Sequence, residues 1–173
     1  MPHVSPPALQ LVEAQDEDLA CIEGLMQFYN YELSEWYPVE FGAHGLYPIR
    51  SKADYWARPD VHPYLLKTAQ GLAGFAVVDG EVVDPACQHN LGYLFVGRRY
   101  RGQGLAAQAV STLLQRFPGA WEIYHLALNT QARGFWPVAL QRAGVHDAQA
   151  SKEDVHGEAS VMYRFKVPAE SAT

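Results

Sequence analysis

Apolar positions near the N-terminus follow first the period of a strand and then the period of a helix. Residues 9–14 predict a short strand. The acidic turn Asp16-Glu17-Asp18 then offers a cap, and the helix that it opens is predicted to reach about Tyr31. The apolar face of this helix, with three- and four-residue spacing, consists of Leu19, Ile22, Leu25, Met26 and Tyr29.

The pattern weakens between positions 32 and 63, where glycine and proline recur. Only a short helix over 52–57 is predicted in this segment. Three apolar strands follow at 64–68, 73–78 and 92–96, and Gln70-Gly71 joins the first two as a hairpin.

Helices and strands alternate in the C-terminal half. One helix is predicted from Leu105 to the Pro118-Gly119 breaker, a second over 131–142, and strands at 121–128 and 161–167 flank the second helix. The resulting order, β-α-(α)-β-β-β-α-β-α-β, predicts a mixed α/β (α+β) domain. We expect a central, twisted sheet of about six to seven strands with about four helices, and a parallel strand pair at a β-α-β unit.

Length and composition indicate one folded domain. The 173 residues are 49% hydrophobic and 18% charged, as in ordinary globular proteins. We expect the core to lie at about 9–167, within a single domain 1–173 with loose termini. Because no apolar run reaches the roughly 18 residues of a membrane span, and the N-terminus lacks the pattern of a signal peptide, we expect a cytoplasmic protein without a membrane partner.

Charge and cysteine content exclude several kinds of chemistry. The net charge of −6 is opposite to that of a nucleic-acid-binding surface, so no nucleic-acid partner is expected. Cys21 and Cys87 are far apart in sequence, and no histidine spacing suits a metal. Neither a disulfide scaffold nor a metal site is therefore predicted. The sequence is compatible with a homodimer.

The strongest chemical signal is the turn between the strand 92–96 and the helix that opens at Leu105. Three arginines and two glycines concentrate there: Arg98, Arg99, Arg101, Gly102 and Gly104. Glycines let the backbone turn sharply, and exposed backbone N–H groups beside the positive end of a helix form a site for a pyrophosphate. The plainer alternative is a solvated basic turn that only starts a helix.

A dinucleotide-binding oxidoreductase is an alternative interpretation of the same turn. Gly102-x-Gly104-x-x-Ala107 matches the dinucleotide fingerprint, and Glu122 lies near the spacing of its acidic residue. However, only about 70 residues follow the motif, too few for the rest of a doubly wound sheet. Glu122 also falls at the start of the next predicted strand, whereas a ribose-binding acid belongs at its end.

The turn resembles the signature [QR]-x-x-G-x-[GA] of the GNAT superfamily of N-acetyltransferases, through the segment Arg101-Gly102-Gln103-Gly104-Leu105-Ala106. A strand that ends in Val96 precedes it, as in that family. Downstream, the family pattern N-x-x-A-x-x-F-[YW] is satisfied by Asn129, Ala132, Phe135 and Trp136. With the order of elements, the resemblance covers about 9–167, nearly the whole chain.

The resemblance implies a splayed pair of parallel strands with acetyl-CoA between them, and no metal. It assigns the strand before the turn to the pantetheine arm and acetyl carbonyl, the turn to the pyrophosphate, and the helix after Asn129 to the pantetheine and thioester. The residues so assigned are Leu94, Phe95, Val96, Arg101, Gly102, Gln103, Gly104, Leu105, Ala106, Ala107, Asn129, Ala132, Phe135 and Trp136.

The implied reaction is direct attack of a neutral amine on the thioester in a ternary complex, with an N–H near Val96 stabilising the oxyanion. A free alkyl amine has a pKa of about 10.4, so a base must take a proton. Trp136 stands where many family members carry a tyrosine acid, and its indole N–H donates a hydrogen bond but is no acid near neutral pH. Tyr100, Tyr124 or Tyr163 could substitute, or Trp136 could be a core residue. A catalytically silent acyl-CoA-binding or regulatory domain is therefore a second interpretation.

The segment 28–56 is rich in aromatic side chains and acids, which together suit a cationic amine. We expect it to bind a small or cationic amine acceptor, with Glu32, Glu35 or Glu40 as the base or the cation anchor. The plainer alternative is an aromatic core with a solvated acidic face. Other candidates for the base are His62, His89, Glu122 and His125.

Overall fold

A mixed sheet of seven strands organises the protein, whose computed structural model describes residues 7–170. The strands are β1 (Gln10–Glu13), β2 (His62–Thr68), β3 (Gly71–Asp79), β4 (His89–Val96), β5 (Gly119–Leu126), β6 (Gln149–Val155) and β7 (Glu158–Val167). They are ordered β1-β2-β3-β4-β5-β7-β6. The predicted mixed sheet is confirmed; of the termini predicted to be loose, residues 1–6 and 171–173 lie outside the described residues.

Three α-helices and one π-helical turn flank the sheet in the described part of the chain. They are α1 (Leu19–Leu33), α2 (Leu105–Arg116), α3 (Thr130–Arg142) and the turn Lys52–Trp56. The turn lies where the short helix 52–57 was predicted, and α1 extends two residues beyond its predicted end. α1 and the π-helical turn pack on one face of the sheet, whereas α2 and α3 pack on the other.

Each face of the sheet carries its own apolar core. On the α1 face, Ile22 and Met26, four residues apart, are buried against Phe75 and Val77. On the α2 face, helix residues at the same spacing pack around Trp121. Apolar stripes of this kind fix which side of each helix faces the sheet. The sheet therefore separates two helical layers, and a ligand that contacts both layers must pass through it.

The two central strands run parallel and then separate. β4 and β5 pair at only two positions, His89 with Trp121 and Asn90 with Glu122. Beyond Asn90, β4 remains paired with β3 on its other edge, out to Gly74 and Val96. The expected splayed parallel pair is thus present, and the separation leaves one edge of β4 facing an opening.

A β-bulge lies where the strands begin to separate. Val78 pairs with Leu91 but Val77 pairs with Tyr93, so Gly92 is the extra residue. A Cβ at Gly92 would overlap Asp79 Oδ2 and lie 3.0 Å from the Tyr55 hydroxyl. Glycine is needed here because a buried carboxylate packs directly on the backbone.

Strand β6 was absent from the predicted elements. Its residues, Gln149–Val155, are almost all polar and exposed, and it pairs only with β7 at the edge of the sheet. An edge strand with both faces in solvent has no alternation of apolar and polar residues to reveal it. Pairing with β7 stabilises this strand instead. One of the contacts joins Arg164 on β7 to Glu153 on β6, with Nη2 3.0 Å from Oε2.

Candidate active site

A cavity of about 850 Å³ opens where β4 and β5 separate. Its walls come from β4, the end of β5, the second half of α1 with the segment after it, the turn after β4 with the start of α2, the length of α3, and the β6–β7 hairpin. The cavity therefore passes through the sheet, from the α2–α3 face to the α1 face. Below, the two ends are called the turn half and the α1 half.

The turn half is built on backbone conformation. Gly102 and Gly104 both adopt left-handed φ values, 73° and 78°, and Gly104 is the N-cap of α2. A side chain at either position would be strained, whereas glycine adopts this region freely. Successive bends of this type direct N–H groups into a concave surface at a helix N-terminus, which suits a pyrophosphate.

Two of the three arginines of this turn, Arg98 and Arg101, have partners within the protein. Arg101 Nε donates to the Val96 carbonyl over 2.8 Å, and Arg98 Nε donates to Glu32 Oε1 over 2.8 Å. Arg101 Nη1 lies 3.5 Å from Glu32 Oε2. Glu32 on α1 therefore links the helix to the turn with both carboxylate oxygens.

Glu32 is the only one of the three predicted acids that lines the cavity; Glu35 and Glu40 lie outside its wall. Burial raises the pKa of Glu32, but hydrogen bonds from Arg98 and the charge of Arg101 outweigh it, so the pKa is lowered. The Glu32 carboxylate is thus held ionised, which makes it a weak proton acceptor near neutral pH.

The β4 wall includes Leu94, Phe95 and Val96, the residues that the family resemblance assigned to the pantetheine arm. Their outer edge faces the cavity, and in residues 7–170 no strand pairs with it after Asn90. An unpaired strand edge presents backbone N–H and C=O groups. It can therefore bind an extended amide chain and stabilise an oxyanion.

The α3 wall contains the second predicted motif. Asn129 caps α3, its Oδ1 accepting the Ala132 N–H over 2.9 Å. Trp136 lines the cavity but is only 7% exposed, and its ring packs edge to face on Phe135 at 5.0 Å. Trp136 thus contributes both to the cavity wall and to the α2–α3 core.

The remaining acid and base candidates fall in different places. Tyr100, Tyr124 and His125 line the cavity, whereas Tyr163, His62 and His89 do not. Burial lowers the pKa of His125, although its hydrogen bond to the Leu126 carbonyl opposes the shift. His125 is therefore a neutral ring near pH 7.

Glu122, the acid of the dinucleotide interpretation, is fully buried. Its carboxylate accepts hydrogen bonds from the Asp84 N–H and from Arg164 Nε, both over 3.2 Å, and from the Val83 N–H. It fixes the segment before β4 to the sheet and is not available to a ribose.

The α1 half is built from side chains that sequence patterns did not single out as a group. The segment 28–56 supplies Tyr29, Trp36, Tyr37 and Arg50 to this half. Arg50 has no distinguishing pattern in the sequence, because it is an exposed arginine in an irregular segment. The polar and aromatic side chains that line the α1 half are Tyr29, Trp36, Tyr37, Arg50, Asn90, Tyr93 and Tyr124.

A buried polar network lies next to the α1 half. The Tyr55 hydroxyl donates to Asp79 Oδ2 over 2.5 Å, and Asn90 Nδ2 donates to Asp79 Oδ1 over 3.0 Å. Burial raises the pKa of Asp79, while the hydrogen bonds from Tyr55 and Asn90 oppose the shift. The network joins the π-helical turn, β3 and β4 at the point where β4 leaves β5.

Among residues 7–170, no group of three possible metal ligands comes together. None of the described helices is long and apolar enough to cross a membrane.

The split parallel pair beside a glycine-rich, arginine-rich turn is the arrangement that the family resemblance implies. The sequence model described as acetyltransferase (GNAT) family matches residues 25–137. The chain belongs to this family.

Solved structures show the same fold at low sequence identity. An acetyltransferase from Thermus thermophilus is 15% identical, with a TM-score of 0.63 over 95% of this chain and 100% of that one. Aminoglycoside acetyltransferase AAC(6')-Ib, solved with coenzyme A and kanamycin, is 15% identical, with a TM-score of 0.65 over 92% and 95%. The ribosomal-protein-S18-alanine N-acetyltransferase from Escherichia coli is 12% identical, with a TM-score of 0.58 over 95% and 97%. No curated protein sequence matches the chain significantly.

Proposed function

We propose that the protein is an acetyl-CoA-dependent N-acetyltransferase that transfers the acetyl group to an amine by direct attack in a ternary complex. The observation that carries the proposal is the single cavity that joins the glycine turn to the α1 half through the fork between β4 and β5. Two ligands entering from opposite faces would meet at this fork. The solved GNAT relatives that contain coenzyme A support the same cosubstrate.

The residues of the turn half fit coenzyme A. Gly102 and Gly104 both line the cavity, so the backbone of the turn borders its open space. We assign the pyrophosphate to the N–H groups of the 101–107 turn, the pantetheine arm to the edge of β4, and the thioester end to the region of Phe135 and Trp136. When bound, acetyl-CoA supplies the activated acyl group.

We assign the oxyanion to a backbone N–H of the β4 edge near Val96, because that edge is preformed and needs no side-chain movement. No acid is required at Trp136: a thiol has a pKa of about 8.5, so the thiolate is a competent leaving group. Trp136 then contributes an indole N–H and an apolar wall rather than a proton.

Two features argue against a carboxylate base among Glu32, Glu35 and Glu40. Glu32 is paired with two arginines and has a lowered pKa, and Glu35 and Glu40 lie away from the cavity wall. We propose that the amine loses its proton to water in the open cavity, and that Glu32 serves as the ion-pair partner of Arg98 and Arg101. The rate should then rise with pH as more of the amine is neutral.

The test combines ligand binding with turnover. Acetyl-CoA at about 100 times its Kd should stabilise the fold by about 2.7 kcal/mol, whereas NAD should not. Thiol release over a panel of amines, corrected for hydrolysis without amine, should identify accepted acceptors. Stabilisation by NAD but not by acetyl-CoA would refute the proposal.

A catalytically silent acyl-CoA-binding domain is the second candidate, favoured by Trp136 in place of a tyrosine. It predicts the same stabilisation by acetyl-CoA. Absence of thiol release with every amine in the panel, despite saturation with acetyl-CoA, would select it.

A further inference from the structure

We propose that the acceptor amine carries a carboxylate, and that Arg50 in the α1 half binds it. The inference rests on the proposed function, because it describes the second substrate of that reaction. It names the acceptor class as amino acids or other amines with a carboxylate, and it differs from the cationic acceptor expected from the acids of segment 28–56.

Arg50 is held in position from two sides. Its guanidinium carbon lies 4.4 Å from the centre of the Tyr55 ring, and Tyr55 is completely buried and bound to Asp79. Nη1 donates to Glu81 over 2.7 Å. A stacked guanidinium with one fixed arm loses little further freedom when it binds a ligand.

The other N–H groups of Arg50 remain for a ligand. Nη1 makes the only hydrogen bond found for this side chain among residues 7–170. The side chain lines the cavity and is 43% exposed. A guanidinium with an open edge matches the two oxygens of a carboxylate in a paired, planar geometry.

No nearby carboxylate pairs with Arg50 alone. Glu81 also accepts from Arg58 Nη1 over 2.8 Å, so its single charge is shared between two arginines. Arg58 in turn binds Asp60. The four groups form a chain of alternating charge, and Arg50 at its end has N–H groups that an incoming carboxylate can bind without displacing Glu81.

Among the described residues, the cavity wall carries two carboxylates, Glu32 and Glu158. Glu158 lies at the start of β7, on the far side of β5 from β4, so Glu32 is the lining acid of the α1 side. Both oxygens of Glu32 face Arg98 and Arg101. Asp79 is 2% exposed and is already bonded to Tyr55 and Asn90. The walls offer aromatic faces from Tyr29 and Tyr93, which pack edge to face at 5.1 Å, but an added cation would lie near Arg50 and be repelled.

Contacts through the protein place Arg50 beside the fork. Arg50 stacks on Tyr55, the Tyr55 hydroxyl binds Asp79, and Asp79 binds Asn90, the last β4 residue paired with β5. The Tyr55 ring also packs against Tyr93 at 6.0 Å. An acceptor whose carboxylate binds Arg50 therefore extends its amine along Tyr93 toward the β4 edge.

The experiment compares acceptors that differ only in the carboxylate. The pairs are glycine and glycinamide, β-alanine and β-alaninamide, 4-aminobutyrate and its amide, and phenylalanine and phenylalaninamide. With acetyl-CoA saturating, we expect the best acid to exceed its amide at least tenfold in kcat/KM. Arg50→Gln should remove this preference by raising KM for the acid, with kcat and the amide little changed, and Arg50→Lys should restore part of it.

Arg58→Gln is the matched control. It also removes an arginine bound to Glu81, but Arg58 does not line the cavity. Wild-type selectivity in Arg58→Gln supports direct binding by Arg50. Equal loss in both variants, or no preference for any acid in the wild-type protein, overturns the inference.

A binding readout separates this inference from the proposed function. Saturation-transfer NMR with the coenzyme A-loaded protein reports contact with each acid without turnover. If no amine is acetylated, the proposed function fails. In that case, acids that bind the wild type and not Arg50→Gln still support the subsite, and acids that bind both equally or neither overturn it.

Discussion

The turn half of the cavity is made by backbone within one short segment, whereas the α1 half is made by side chains from four separate elements. Gly102 and Gly104 create the first through their left-handed φ values. The second depends on Arg50, Tyr55, Asp79 and Asn90, which meet only in the folded protein. A backbone site suits a cosubstrate shared by a whole family, whereas a side-chain site can change with the acceptor.

The largest effect should come from breaking the turn half. Gly104→Val places a β-branched residue at φ 78° and at the N-cap of α2. Left-handed backbone costs such residues on the order of 1–2 kcal/mol, and relaxing it would move the N–H groups. Because a hydrogen bond to a charged group contributes about 1.5–3 kcal/mol, we expect the calorimetric Kd for acetyl-CoA to rise on the order of 100-fold.

Gly45→Val is the control for strain alone. Gly45 has φ 70° and open space around its Cβ, in the loop before the π-helical turn. A similar loss of stability with unchanged acetyl-CoA binding is expected. Equal weakening of binding in both variants would mean that the turn matters only through stability.

The second-largest effect should come from changing Asp79, whose hydrogen bonds support the α1 half. Asp79→Asn replaces a buried acceptor by a group that also donates, opposite donors from Tyr55 and Asn90. Because a buried mismatched donor costs about 1–3 kcal/mol, we expect that loss in the free energy of unfolding by urea. The KM of the acceptor should rise more than the Kd of acetyl-CoA.

The pH dependence of this variant has a definite sign. The folded-state pKa of Asp79 is raised above its usual 3.8, so the folded protein binds the proton more tightly than the unfolded chain. The contribution of Asp79 to the free energy of unfolding is fully present below its pKa in the unfolded chain. It is lost as the pH rises through the pKa of Asp79 in the folded protein. The stability advantage of wild type over Asp79→Asn, measured by urea unfolding, should therefore grow as pH falls from 7 toward 4.

The smallest effect should come from the ion pair that joins the two halves. Glu32→Gln frees Arg98 and Arg101 for phosphate, and since exposed pairs contribute about 0–1 kcal/mol, Kd for acetyl-CoA should fall only a few-fold. Glu23→Gln on the same helix, outside the cavity wall, should change nothing. A fall in kcat of about 100-fold with loss of a pH limb would instead make Glu32 the general base.

The elements with strong apolar periods were predictable, and the exceptions have physical causes. Helices α1 and α2 each bury one side, so packing imposes a helical period on their sequences. Strands β2 and β3 are buried on both faces and appear in the sequence as short, nearly continuous apolar runs. Strand β6 buries almost nothing and left no such pattern. The segment 52–57 was predicted as a short helix, but it forms a π-helical turn in which Tyr55 and Trp56 are both buried.

The features of the candidate site likewise divide into those that neighbouring residues determine and those that depend on tertiary contacts. The glycine turn and the Asn129 cap are local, because each depends on φ values or hydrogen bonds within a few residues. Glu32, Glu35 and Glu40 were indistinguishable in sequence, and only the position of α1 over the turn gave Glu32 its two arginines. Arg50 shows no sequence signal at all.

By itself, the sequence determined the order of elements, the turn between β4 and α2, and membership in a family defined by that turn, since short-range backbone geometry and burial periods are written in neighbouring residues. Only the tertiary structure decided where β4 leaves β5, which acid meets the arginines, and that Arg50 faces the cavity. These depend on contacts between residues far apart in the chain. Spacing along the chain does not encode such contacts, because they form only when the sheet and the helices pack together.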